Sequence, residues 1–187
     1  AVSIDGLEIE SLWIPTEGLT LTANLGILDA NYDSYMVLDG SGNMVDKSGF
    51  DLRRAPEMTL ALGALHEFSL SNGDFIVSSL NYRWKDDYCV QGNNFSAIEA
   101  HYGANPACNE SYGIIDASIS YESDNWRLSF FGKNLGDEDY ILHFLDVASS
   151  VNATSATDST PVYVPGLWSF GTVNRPRYFG VELQFDF

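Results

Sequence analysis

The chain contains at residues 178–187 the stretch Tyr178-Phe-Gly-Val-Glu-Leu-Gln-Phe-Asp-Phe187, which decides the fold. Apolar side chains occupy every second position from Phe179 to Phe187, and other residues lie between them. A period of two predicts a β-strand with one apolar face. Its length is also close to the roughly 9 to 11 residues that a tilted strand needs to cross a bilayer. The stretch therefore predicts either a membrane-crossing strand or the edge strand of a soluble β-sandwich.

The composition limits the classes of protein that fit. The 187 residues are enough for one domain, and the net charge of −17 argues against binding nucleic acid, whose phosphates need a basic surface. No apolar run approaches the roughly 18 residues of a transmembrane helix. Any membrane crossing must then use strands, and strands in lipid must close into a barrel. Because the first residue is Ala1 and not Met, we expect a processed or truncated piece.

Alternating segments recur along the chain at about the length of barrel strands. They lie near residues 6–13, 19–30, 57–70, 74–86, 112–122, 126–135 and 176–187. The connections alternate between short, at 14–18, 71–74 and 123–125, and long, at 31–56, 87–111 and 136–175. Outer-membrane barrels have short periplasmic turns and long extracellular loops. The sequence therefore predicts an all-β fold, the antiparallel wall of a transmembrane β-barrel in a bacterial outer membrane.

The same alternation predicts which side chains face the lipid. The lipid-facing residues are Leu19, Leu21, Ala23, Leu25 and Ile27, then Ile76, Leu80, Tyr82 and Trp84, then Ile115, Ala117, Ile119 and Tyr121. Residues between them, such as Asn24, Arg83 and Asp116, face the lumen. Trp13, Trp84 and Trp126 lie near segment ends, as an aromatic girdle requires.

The two cysteines lie in a long connection. Cys89 and Cys108 are surrounded by Asn, Gly and Pro and have no spacing typical of metal ligands. An even number of cysteines in a polar stretch favours a disulfide and an oxidising compartment, although two buried free thiols are the alternative. We predict a Cys89–Cys108 disulfide that closes an extracellular loop.

Two stretches resemble the end of TonB-dependent outer-membrane receptors: Phe130-Phe-Gly-Lys-Asn-Leu-Gly-Asp-Glu-Asp-Tyr140 and Arg175-Pro-Arg-Tyr-Phe-Gly-Val-Glu-Leu-Gln-Phe-Asp-Phe187. The last strand also resembles the C-terminal assembly signal of outer-membrane barrels, at Gly180, Leu183, Phe185 and Phe187. The resemblance implies that residues 1–187 are the C-terminal part, about seven strands, of a 22-stranded barrel. It further implies three partners: the plug and remaining strands, TonB acting through a missing N-terminal region, and the barrel-assembly machinery.

The resemblance also implies active transport of a ferric siderophore or a similar scarce nutrient. Arg83 and Lys85 are predicted to face the lumen, and Tyr102, Tyr163 and Trp168 lie in the long connections. Aromatic planes beside cations suit an anionic, partly aromatic ligand. Receptors for vitamins or carbohydrates share these terminal motifs and stay as alternatives, as does a soluble, secreted, β-rich binding module.

Other candidate sites are weaker. His66, His101 and His143 are scattered over one strand and two loops, so no catalytic group is predicted and the protein is not expected to be an enzyme. No cofactor and no metal site are predicted, although Asp137, Glu138 and Asp139 with Asp146 form either a solvated acidic patch or a weak Ca²⁺ site. Arg175 and Arg177 are candidate contacts for lipopolysaccharide phosphates.

Overall fold

The computed structural model of the chain describes residues 1–38, 43–49, 51–90, 108–146 and 169–186. The regular structure of these residues is all β. Within them, no helix is both long enough and apolar enough to cross a membrane. In chain order the strands are β1 (Val2–Thr16), β2 (Leu19–Tyr32), β3 (Met36–Leu38), β4 (Met44–Asp46), β5 (Met58–Ser69), β6 (Phe75–Lys85), β7 (Tyr88–Cys89), β8 (Cys108–Asn109), β9 (Tyr112–Ser123), β10 (Trp126–Lys133), β11 (Ile141–Asp146), β12 (Ser169–Val173) and β13 (Tyr178–Phe185).

The seven long strands form one antiparallel sheet in the order β1-β2-β5-β6-β9-β10-β13. They coincide with the seven segments predicted from the alternation, so the all-β, antiparallel fold class is confirmed. The three short strand pairs β3–β4, β7–β8 and β11–β12 are hairpins outside this sheet, one in each long connection. All three therefore extend from the same end of the sheet.

The register aligns the predicted faces across the sheet. One row of directly paired residues runs Trp13, Leu21, Ala64, Leu80, Ala117, Gly132, Phe179. Directly opposed residues lie on the same face of a sheet. The segments 19–27, 76–84, 115–121 and 178–187, whose faces were predicted separately, therefore place their apolar sides on one face. Ser11, His66 and Ser78 are polar exceptions on that face.

Burial is inverted relative to a water-soluble protein. Among the described residues, most of the buried side chains are polar, namely Asn109, Asp116, Ser120, Ser129, Asn134 and Asn174, and the buried apolar ones are Val90 and Ile114. Large apolar side chains on the apolar face are exposed instead, including Leu80, Phe179 and Leu183. An exposed apolar surface of this extent requires a covering partner or a lipid environment.

The short turns are closed by local hydrogen bonds. In the turn between β5 and β6, Gly73 has a φ of 92°, and the Leu70 N–H donates to the Asp74 carbonyl at 2.8 Å. The hydroxyl of Tyr121 on β9 donates to the Asp74 carboxylate. This bond and a second one from Ser123 hold the pKa of Asp74 below its usual value. The short connection predicted at 71–74 is thus fastened to the neighbouring hairpin.

The last strand packs closely against β10. Gly180 is paired directly with Phe131, and a Cβ atom at Gly180 would lie 2.3 Å from Cζ of the Phe131 ring. The ring therefore occupies the space above the glycine, an arrangement in which an aromatic side chain covers a bare strand position. This contact explains why the alternating pattern of the last strand contains a glycine.

We predict that Gly180→Ala destabilises the protein by about 1–3 kcal/mol, the usual cost of overpacking a filled site. The measurement is thermal or denaturant unfolding of the purified protein. Gly136→Ala is the control, because a Cβ there meets its nearest neighbour at an ordinary 3.6 Å. If the contact is the cause, Phe131→Ala combined with Gly180→Ala recovers part of the loss, whereas equal effects of the Gly180 and Gly136 changes would contradict the assignment.

Candidate functional site

The structure separates the predicted ligand-binding residues into two groups. Arg83 and Lys85 lie on β6, at the end of the sheet from which the long connections extend. Tyr102, Tyr163 and Trp168 lie outside the described residues, as does Phe187 of the predicted assembly signal. The site is therefore built here from Arg83, Lys85 and the described residues around them.

Arg83 is engaged by a buried carboxylate. Its guanidinium lies 2.9 Å from Oδ2 of Asp116 on β9, and Nζ of Lys133 on β10 lies 3.5 Å from the same oxygen. The other oxygen of Asp116 accepts the backbone N–H of Asn134 at 3.0 Å. One carboxylate thus pairs with two cations, so this group keeps a net positive charge, and the side chain of Arg83 stays 62% exposed although its guanidinium is engaged by Asp116.

Three tyrosines gather beyond Lys85. The rings of Tyr112 and Tyr140 are stacked, with centroids 4.2 Å apart and planes inclined by 10°. The hydroxyls of Tyr88 and Tyr112 are 3.2 Å apart, and Nζ of Lys85 lies 5.2 Å from the centre of the Tyr88 ring. We call these four residues the tyrosine cluster. It combines flat aromatic surface, phenolic hydroxyls and an ammonium group in one place.

A cleft of about 330 Å³ borders the tyrosine cluster, with Tyr112 and Tyr140 in its wall. Glu110, Glu138 and Asp139 also line it. Three carboxylates disfavour an anion on that side. An anionic ligand would therefore approach the cluster from the side of Lys85.

Residues 134–140, which follow β10, and residues 174–177, which precede β13, form a closed network of hydrogen bonds. We call this network the loop base. The buried side chain of Asn134 donates to the carbonyls of Glu138 at 2.9 Å and Arg175 at 3.2 Å, and it accepts the Glu138 N–H at 3.0 Å. The buried side chain of Asn174 donates to the same two carbonyls, at 2.8 and 3.2 Å, and accepts the Tyr140 N–H at 2.9 Å. The loop base therefore joins the two ends of the long connection 134–177.

The backbone conformation of the loop base also selects its residues. Asn134 and Asp137 have φ of 51° and 57°, in the left-handed region that Asn and Asp tolerate better than most residues. Asp137 accepts the backbone N–H of Arg177 at 2.8 Å and pairs with its guanidinium at 3.4 Å. Among the described residues, no group of three or more His, Cys, Asp or Glu is arranged to hold a metal ion.

Contacts between the hairpins hold the long connections together. Cys89 and Cys108 are joined by a disulfide, the pairing predicted from the sequence. The side chain of Asn109 donates to the carbonyl of Ile141 at 3.0 Å and accepts its N–H at 2.7 Å. This two-way contact fastens β8 to β11.

A second polar patch lies on the polar face of the sheet, toward the end with the short turns. Ser120 and Ser129 are buried with their hydroxyls 2.9 Å apart, and Arg127 donates to Ser120 at 3.3 Å while pairing with Glu122 at 3.1 Å. A shallow groove of about 210 Å³ passes over these groups. The two serine hydroxyls and the Arg127–Glu122 pair are bonded within the patch, and the exposed carboxylate of Glu182 and the ammonium group of Lys133 also line the groove, so the patch is polar and carries both signs of charge.

Comparison with known proteins supports the fold. No family model matches the chain. Among solved structures, the chain is similar to the ferric yersiniabactin uptake receptor FyuA from Yersinia pestis, with a TM-score of 0.65 and 16% sequence identity. The match covers 100% of this chain and 24% of that receptor, so the chain spans about a quarter of the receptor's length. At this identity the similarity shows the fold alone.

The sequence pointed to Lys85 but not to the three tyrosines of the tyrosine cluster. Tyr88, Tyr112 and Tyr140 come from three different segments of the chain, and neither alternation nor motif spacing links them. What the three tyrosines share in the sequence is their position in or next to a long connection, Tyr88 and Tyr140 within one and Tyr112 directly after one.

We predict that Asn134→Ala destabilises the loop base by about 1–3 kcal/mol, because the Glu138 amide loses its acceptor and the Glu138 and Arg175 carbonyls keep only the donor of Asn174. Faster hydrogen exchange at the amides of Glu138 and Tyr140 would reveal the loss. Asn31→Ala, at an exposed position on β2, serves as the control. Unchanged exchange at Glu138 in the Asn134 variant would show that the network does not hold the loop.

Proposed function

We propose that the chain forms the C-terminal part of the barrel wall of a TonB-dependent receptor in the bacterial outer membrane. The observation that carries this proposal is the inverted burial, with apolar side chains exposed on one face of a seven-stranded antiparallel sheet and polar side chains buried on the other. The similarity in fold to an uptake receptor supports it. In this proposal the apolar face contacts lipid and the polar face lines the lumen.

The height of the apolar band agrees with a bilayer. Trp84 pairs across to Gly113 at the end with the long connections, and Trp126 pairs with Ser123 at the end with the short turns. These two levels are ten positions apart on β9, from 113 to 123, or roughly 33 Å at about 3.3 Å per residue. A strand tilt of about 40° reduces this to about 25 Å, the usual height of the apolar band of outer-membrane barrels.

We predict that Leu183→Arg lowers the amount of protein in the outer membrane, because Arg on the lipid face costs from about 0–1 kcal/mol near the interfaces to about 2–4 kcal/mol at the bilayer midplane, and Leu183 lies within the apolar band, level with Tyr121. Leu183 is exposed on the apolar face, and its neighbour Gln184 points to the other. Gln184→Arg is therefore the matched control and is expected to be milder. Quantitative blotting of isolated outer membranes compares the two, and equal losses would show that the faces are wrongly assigned.

The proposed cargo is a ferric siderophore or a similar anionic chelate. The tyrosine cluster provides ring surface and hydroxyls beside Lys85, and these groups suit stacking combined with charge-assisted hydrogen bonds. The net charge of −17 opposes approach of an anion, and Arg83 already pairs with Asp116, whereas Lys85 lies beside the Tyr88 ring, so Lys85 is the better candidate contact. The proposal therefore needs further positive charge on the plug or on other strands.

We predict that Lys85→Glu lowers iron uptake several-fold in cells grown under iron limitation, because it reverses the charge beside the tyrosine cluster. Radioactive iron uptake, with siderophore-containing culture fluid as the source, measures the effect. Arg53→Glu makes the same change of charge in the exposed loop before β5 and is the control. Arg83→Glu is a poor probe, since it would place a second carboxylate beside Asp116.

Two alternatives stay testable. Unchanged iron uptake in a deletion strain, together with lost growth on a scarce vitamin or carbohydrate, would favour a receptor for that nutrient. A soluble, secreted, β-rich binding module would remain monodisperse without detergent, which the exposed apolar face argues against. Lipopolysaccharide stays a proposed partner at Arg175, whereas the guanidinium of Arg177 is already engaged by Asp137 and the Leu135 carbonyl.

A further inference from the structure

Arg54 connects two hairpins that no strand pairing joins. It lies in the connection before β5, with a φ of 57°. Its backbone N–H donates to the carbonyl of Cys89 on β7 at 2.8 Å. Its guanidinium Nη2 donates to the carbonyl of Leu142 on β11 at 2.8 Å and lies 3.0 Å from Nδ1 of His143. One residue thus contacts both the disulfide-closed hairpin and the β11–β12 hairpin.

These contacts fall beside the tyrosine cluster. Tyr88 precedes Cys89, and Tyr140 lies two residues before Leu142. Tyr112 lies between these two tyrosines, stacked on one and within 3.2 Å of the hydroxyl of the other. The relative position of the three rings therefore depends on how the two hairpins are held against each other.

We propose that Arg54 is a positioning residue for the tyrosine cluster. Its side chain holds the β11 segment that carries Tyr140, and its backbone holds the β7 segment that carries Tyr88. The disulfide passes the same restraint to β8, which Asn109 fastens to Ile141. A role of Arg54 in ligand binding rests on the proposed function, whereas its effect on the positions of the tyrosine rings does not.

Histidine at 143 adds a requirement to this contact. Arginine has only donors, so Nδ1 of His143 is the acceptor in this contact. Nη2 of Arg54 therefore has two acceptors, the Leu142 carbonyl and Nδ1 of His143. The ammonium group of a lysine at position 54 can replace part of this contact.

The test measures ring proximity directly. Purified protein in detergent is exposed to a brief photo-oxidative pulse that couples neighbouring tyrosines, and the Tyr112–Tyr140 dityrosine peptide is quantified by mass spectrometry. Yields are normalised to folded protein, measured by circular dichroism. Arg54→Met, which keeps the apolar stem and the backbone contact but removes the donors, is expected to lower the yield several-fold, and Arg54→Lys to restore part of it.

The control and a second variant keep the result decisive. Arg53→Met removes the adjacent cation, which forms no hydrogen bond or ion pair with the described residues. This variant is expected to leave the dityrosine yield unchanged. If Arg54→Met fails to fold, His143→Ala replaces it and is expected to give a smaller loss. A wild-type yield in the tested variant would overturn the proposal. Because the assay contains no ligand, failure of the iron-uptake experiment would contradict the proposed function and leave this result standing.

Discussion

Continuous hydrogen bonding between antiparallel neighbours is the constraint on which the rest of the structure depends. In the paired stretches of an inner strand the backbone groups bond to the adjacent strands, so the sheet can expose apolar side chains there without leaving polar backbone unpaired. The register then brings every second residue of seven strands onto the same side. A slip of one residue in any pair would turn that strand's apolar set toward the polar face.

Several charged side chains on the polar face of the sheet form ion pairs with one another. Asp116 is buried, yet two cations and a backbone N–H surround it, and it ties β6, β9 and the start of the loop base together. Charged groups that appear available for a ligand in the sequence are therefore partly committed to the structure itself. More accessible groups lie at the end of the sheet with the long connections, where the tyrosine cluster and the hairpins meet.

The sheet was predictable from the sequence because strand alternation and connection length are local properties. The seven strands and their faces follow from which positions are apolar, as Leu21, Leu80 and Phe179 illustrate by falling into one row. The loop base was visible only as a motif, and its physical meaning, two buried asparagines sharing two carbonyls, needed coordinates. The tyrosine cluster was not predictable, since its rings meet through hairpin docking and not through any sequence period. The roles of Tyr102, Tyr163, Trp168 and Phe187 stay predictions.

The number of strands has a geometric consequence for how a closed wall is completed. In an antiparallel sheet of seven strands, β1 and β13 run in the same direction. A ring made from copies with all long connections on one side would place β13 of one copy parallel to β1 of the next, and inverting a copy to restore antiparallel pairing would send its long connections to the opposite side. A closed, fully antiparallel barrel that contains this sheet and keeps all long connections on one side therefore takes an odd number of strands from polypeptide of a different sequence.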